Sequence, residues 1–127
     1  MTTGFAAATA RTVVAGPAGA LEIAASTPGE VRGIALVAHP HPEGGGTLDN
    51  KVAQTLARAF YALRYAAVRF NFRGVGASEG SFDNGLGETD DALAALAWAR
   101  GRYGTQLPVA LAGFSFGSYV SARMAGQ

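Results

Sequence analysis

"LPVALAGFSFGSYVSARMA", residues 107–125, decides how the rest of the chain is read. A short apolar run up to Gly113 passes into Gly113-Phe114-Ser115-Phe116-Gly117, and a helical pattern, Phe116 to Ala125, follows at once. A serine between a buried strand and a helix in a Gly-x-Ser-x-Gly frame stands on a tight, strained turn, so its hydroxyl projects beyond the sheet. Gly113 and Gly117 are the small residues that let strand and helix close on that turn. The helix starting beneath Ser115 aims free N–H groups and its positive dipole end at developing negative charge, with the Phe116 N–H as the first donor. In a chain with 18 glycines the five-residue frame alone is weak evidence. The strand before it and the helix after it carry the reading.

The preceding segments supply the sheet that such a turn needs. "GIALVAHP" (33–40) and "AAVRFNF" (66–72) are short apolar runs of the kind buried on both faces, the second with Val68, Phe70 and Phe72 on one side. Between them, Val52, Leu56, Phe60 and Leu63 recur at helical spacing and predict an amphipathic helix over 49–63. Thr89 is expected to cap a further helix, with Asp90 and Asp91 in its first turn, Arg100 and Arg102 in its last, and Gly101 or Gly104 at its stop. "ATARTVVAG" and "ALEIAAS" flank a Gly-Pro-Ala-Gly turn and read as an antiparallel hairpin. The order β-β-β-α-β-α-β-α implies a mostly parallel sheet flanked by helices, in one α/β domain over residues 1–127.

"HPHPEGGGT" (39–47) follows the first buried run. Pro40 and Pro42 have no N–H, so His41 offers the single backbone donor between them, and it is the expected second donor to an oxyanion beside Ser115. His39 and His41 are the only histidines. A general-base role for either, or a His-x-His metal pair, stays open beside the structural and main-chain reading. No acidic residue is obviously placed to orient either ring.

Composition narrows the class. The 127 residues are 49% hydrophobic and 15% charged, with a formal net charge of +1, and their nine arginines and one lysine form no run. That argues against disorder and gives no field for nucleic acid or a membrane surface. No cysteine is present, so disulfides, thiolate metal sites and a Cys nucleophile are excluded. Neither a signal peptide nor a membrane span is read, and the expected compartment is the cytoplasm. "GVGASEG" (74–80) follows a strand as a dinucleotide-binding loop does, but Glu79 stands beyond Ser78 where the third glycine would fall.

Three blocks, "ALVAHPHPEGGGTLDNKV", "VRFNFRGVGASEGSFDNGLGETDDALAAL" and "LAGFSFGSYVSARMA", together resemble the α/β-hydrolase superfamily. The nearest likeness is to its small bacterial carboxylesterase-like branch, beside the dienelactone hydrolases. The resemblance implies a serine hydrolase acting on an ester or related acyl bond of a small molecule, with Ser115 as nucleophile, His41 and Phe116 as oxyanion donors, and no cofactor or metal. It also implies that Asn71 stands where the superfamily often has Asp, that Arg73 and Ser78 shape the following loop, and that Ser115 separates the chain from the Cys-dependent dienelactone hydrolases. In that superfamily an acid and a histidine follow the serine along the chain, after later strands. Asp83, Asp90 and Asp91 are poor substitutes for that acid. The 127 residues are therefore expected to be an incomplete hydrolase domain, with an edge at Val109 to Leu111 that is apolar and open to strand pairing. Two alternatives remain at this level: an inactive half-domain serving as an interaction module, and a nucleotide-binding doubly wound domain.

Overall fold

The structure, a computed structural model, describes residues 4–127. Two antiparallel strands, β1 (Thr9–Gly16) and β2 (Gly19–Ser26), form the hairpin, followed by β3 (Gly33–Ala38), α1 (Lys51–Ala62), β4 (Tyr65–Phe70), α2 (Leu86–Tyr103), β5 (Val109–Gly113) and α3 (Phe116–Ala125). They build one five-stranded mixed sheet in the order β1-β2-β4-β3-β5. β4, β3 and β5 run parallel, whereas β2 meets β4 antiparallel. β5 lies at one end of the sheet, paired with β3.

Every residue of β3 is buried, as a strand covered on both faces must be. Ile34, Leu36 and Ala38 join Val68, Phe70, Phe72 and the α2 residues Ala92, Ala95 and Ala99 in the larger core, which Val120 and Met124 of α3 complete. Val37 faces the other way, with Ala67, Ala53 and Ala57 beneath α1. α2 and α3 thus cover one face and α1 the other. Alanines on both covering layers let helix backbones approach the sheet closely.

Two helices differ from their expected form. The buried face of α1 is Ala53 and Ala57 flanked by Leu56, Phe60 and Tyr61, while Val52 and Leu63 are exposed. Close helix–sheet approach favours the small side chains, and the seam rotates toward them by one position. α2 begins a turn before Thr89, at Leu86, with Gly85 in the cap position at φ 94°. Thr89 is buried inside the helix, its hydroxyl donating to the Gly85 carbonyl at 2.7 Å. The first-turn acid is Glu88, which reaches back to accept the N–H groups of Gly85 (2.9 Å) and Asp83 (2.7 Å). That contact fixes the helix start where a threonine cap would have placed it later. Gly104 follows the last turn, and Arg100 and Arg102 lie within it.

Candidate active site

Register pairs Ala38 of β3 with Gly113 of β5, so the loops leaving these parallel strands rise side by side at their carboxyl ends. This crevice is where open α/β sheets place their ligands. Ser115 occupies the junction of β5 and α3 with φ 58° and ψ −119°, one of three non-glycine residues at positive φ among those described. Such angles cost a non-glycine residue of the order of 1–3 kcal/mol and persist only where surrounding structure enforces them. The Gly117 N–H closes the turn on the Phe114 carbonyl at 3.1 Å, and the Tyr119 N–H starts the helix on the Ser115 carbonyl at 3.2 Å. Ser115 is exposed and its side chain makes no capping hydrogen bond with α3.

Both glycines are required by contact. A Cβ on Gly117 would strike the Ala38 carbonyl oxygen and lie 2.7 Å from that of His39, and one on Gly113 would lie 2.7 Å from the Ser118 nitrogen. The turn is therefore wedged between the end of β3 and its own helix. Phe116 opens α3, whose first N–H groups have no acceptor within the helix.

His41 reaches this turn from the neighbouring loop. Its ring lies 5.0 Å from that of Phe116. The His41 Nδ1 accepts the Glu43 N–H at 3.1 Å, so the imidazole caps the short 3-10 turn Pro42–Gly44. His39 is buried with both nitrogens engaged: Nδ1 meets the Pro40 carbonyl at 2.7 Å, and Nε2 accepts the Phe72 N–H at 3.2 Å. Accepting at Nε2 requires the neutral ring. Burial pushes its pKa from the ordinary 6.5 to about 4, against a smaller upward pull from the Pro40 carbonyl. His39 ties β3 to the end of β4 and has no nitrogen left for a proton relay or a metal. Among the described residues no group of three His, Cys, Asp or Glu is placed to hold a metal ion.

Two of the three upstream acids are committed to other partners. Asp91 is buried and accepts the Arg73 N–H (3.0 Å), Nε (3.1 Å) and one terminal nitrogen (2.9 Å), while Arg73 also donates to the Gly87 carbonyl at 2.8 Å. Asp83 accepts the Gly87 N–H at 3.0 Å, and Asp90 is exposed on α2. Ser78 donates to the Asn71 carbonyl at 2.7 Å and accepts the Glu22 N–H at 2.8 Å. Arg73 and Ser78 thus shape the loop after β4.

That loop is closed to a phosphate. The Glu22 carboxylate accepts the Ala77 N–H at 2.8 Å and the Asn71 side-chain amide at 2.7 Å, occupying the donors a nucleotide would need. The Ala77 N–H, with Asn71 and Arg11, holds this carboxyl below the usual carboxylate range against the opposing effect of burial. After this loop no helix opens until Leu86, which removes the other half of a dinucleotide site.

Two residues near Ser115 escape the sequence reading. Phe82, half-buried, packs on both His41 (4.8 Å) and Phe116 (5.6 Å), and Glu88 anchors the backbone just after it. Glycine at the cap position gives no capping-box signature, so Glu88 leaves no local signal to read. A cavity of about 230 Å³ lined by Ala10, Thr12, Ala25, Thr27, Trp98 and Arg102 belongs to β1, β2 and α2 and shares no residue with the serine turn. No helix among the described residues is long and apolar enough to cross a membrane.

Comparison with known proteins places this geometry in context. The X-Pro dipeptidyl-peptidase (S15) family matches residues 22–127. An α/β serine hydrolase homologue from Coxiella burnetii superposes with a TM-score of 0.87 at 46% identity, over 91% of this chain and 56% of that one. An α/β serine hydrolase without a lid from Xanthomonas campestris gives 0.88 at 42% identity, over 98% of this chain and 58% of that one. An uncharacterized protein from Rickettsia prowazekii (strain Madrid E) is 43% identical over 91 residues, 72% of this chain and 38% of that protein. The chain therefore spans about half the length of the solved structures it matches, and less of the curated relative.

Proposed function

The chain belongs to the X-Pro dipeptidyl-peptidase (S15) family of α/β hydrolases, and from that premise we propose that it acts in acyl transfer through a covalent intermediate on Ser115. The observation that carries the reading is an exposed serine held at φ 58° between a buried strand and a helix N-terminus, with its side chain uncommitted. On this proposal the Ser115 oxygen attacks the carbonyl carbon of an ester or related acyl compound. The carbonyl oxygen becomes an oxyanion facing the main-chain N–H groups of His41 and Phe116, assisted by the α3 dipole. Collapse breaks the bond to the leaving alcohol, which takes up the proton that Ser115 gave to a general base. Water then attacks the acyl-enzyme, releasing the carboxylic acid and restoring the hydroxyl.

The engaged nitrogens of His39 and the capping role of His41 leave neither as a convincing base. The proposal assigns the base and its carboxylate partner to polypeptide after Gln127. Peptide amides enter with the family's name, since they pass through the same acyl-enzyme. The Ser-based chemistry needs no cofactor, and a chain without cysteine suits the reducing cytoplasm.

A fluorophosphonate probe tests the nucleophile. The complete gene product is expected to gain one phosphonyl group at Ser115, seen by mass spectrometry of the peptide, and Ser115→Ala to gain none. A folded wild-type protein that stays unlabelled overturns the proposal.

For the 127-residue chain itself we propose association through β5. Its outer edge carries the backbone groups of Val109 to Leu111 with no charged side chain to deter pairing. Sedimentation is expected to show self-association. A clean monomer with exchange-protected amides at Val109 to Leu111 would refute this.

A further inference from the structure

We infer that Phe82 is a positioning residue, wedged against His41 and Phe116 so that their main-chain N–H groups keep a fixed separation. This rests on the acyl-transfer reading above. The three rings form a closed triangle, with centroids 4.8 Å apart for His41–Phe82, 5.0 Å for His41–Phe116 and 5.6 Å for Phe82–Phe116.

Each corner of the triangle is held differently. Phe116 is fixed from below, edge-on to Phe72 at 5.4 Å, and Phe72 in turn packs on His39 at 4.7 Å and Phe70 at 5.0 Å. The loop carrying His41 lacks any such anchor. The hydrogen bonds of residues 40–46 close within the loop itself or onto His39, and three consecutive glycines, exposed at Gly44 and Gly45, follow. Its ring contacts tie His41 itself to the serine turn. Phe82 supplies the third side from a rigid support. Immediately after it, Glu88, fully buried, takes the N–H groups of Asp83 and Gly85, and Arg73 clamps the Gly87 carbonyl while pairing with Asp91. The two buried carboxylates on α2 thereby acquire a purpose: they hold a half-exposed aromatic ring in a glycine- and serine-rich loop against the loop that carries His41.

Removing the ring is expected to slacken His41 without touching substrate-binding groups. A displacement of about 1 Å in such a group costs up to roughly 100-fold in rate. In the complete gene product, Phe82→Ala is expected to lower kcat for an activated ester by roughly 10- to 100-fold, with KM changed by less than about threefold. Rates are to be normalised to the Ser115 sites that a fluorophosphonate titrates, so a loss of folded protein does not register. Phe82→Tyr, which keeps the ring, is expected to restore kcat. If Phe82→Ala does not fold, Phe82→Leu reports the same separation of kcat from KM.

Wild-type labelling at Ser115 with an unchanged normalised kcat in Phe82→Ala or Phe82→Leu overturns the positioning role alone. A loss that appears in KM, or that Phe82→Tyr fails to repair, overturns it as well. A wild type unlabelled at Ser115 overturns both this inference and the reading beneath it.

Discussion

Gly117→Ala is expected to leave little folded protein. The added methyl has nowhere to go: the Ala38 carbonyl oxygen is in direct collision, the Ala38 carbonyl carbon lies at 2.6 Å and the His39 oxygen at 2.7 Å. All three are backbone atoms of β3 and its exit loop, so no side chain can swing aside. Relief requires α3 to lift from the sheet, opening the packing of Val120 and Met124, both buried in the larger core. An overpacked backbone contact of this kind costs at least the upper end of the usual range of about 1–3 kcal/mol, against a total stability of about 5–15 kcal/mol for an ordinary domain. Gly101→Ala is the control. It sits in the last turn of α2, where an added methyl meets no heavy atom within 4 Å. There alanine is expected to stabilise by about 0.5–1 kcal/mol through helix propensity and a less flexible unfolded chain. Urea unfolding of the two variants beside the parent checks both signs. A Gly117→Ala protein within about 1 kcal/mol of the parent would mean that the turn is not wedged as described.

Mild acid is expected to weaken the fold through His39. In the unfolded chain this imidazole takes a proton near its ordinary pKa of 6.5, whereas in the native state burial delays protonation to about 4. Between these values the unfolded state binds more protons, so stability falls as pH drops. The contribution is fully present above 6.5 and lost progressively down to about 4, amounting to roughly 3 kcal/mol at 1.36 kcal/mol per pKa unit. Protonation at Nε2 would set an N–H against the Phe72 N–H, removing the bond that joins β3 to the end of β4. The depressed carboxyl of Glu22 loses its contribution only as pH falls below the ordinary 4.5, leaving the upper part of the window to histidine. Chemical denaturation between pH 7 and 5 is expected to slope for the parent and flatten for His39→Gln. A parent curve that is level over this range contradicts the assignment.

Much of the architecture is readable because buried parallel strands leave continuous apolar runs and the serine turn pins the start of α3. The helix at Phe116 to Ala125 can be placed at both ends for that reason. The face of α1 misleads, since Val52 and Leu63 are more apolar than Ala53 and Ala57 but too large for the narrow gap to the sheet. The start of α2 misleads because Thr89 followed by two aspartates imitates a cap, while the side chain that organises the turn is Glu88. The turn around Ser115 is legible locally, through its glycines. Phe82 is not, since its partners lie in segments that meet only once β3 stands between β4 and β5.

The absence of slack around Gly113 and Gly117 has a bearing on how a ligand would be received. A turn locked by backbone against backbone keeps its shape before any ligand arrives, so an incoming molecule has no ordering entropy to overcome at Ser115. Whatever affinity it gains from its remote parts remains for lowering the barrier. Preorganisation of this kind also means that discrimination among ligands must come from groups outside the turn, because the turn itself does not adapt.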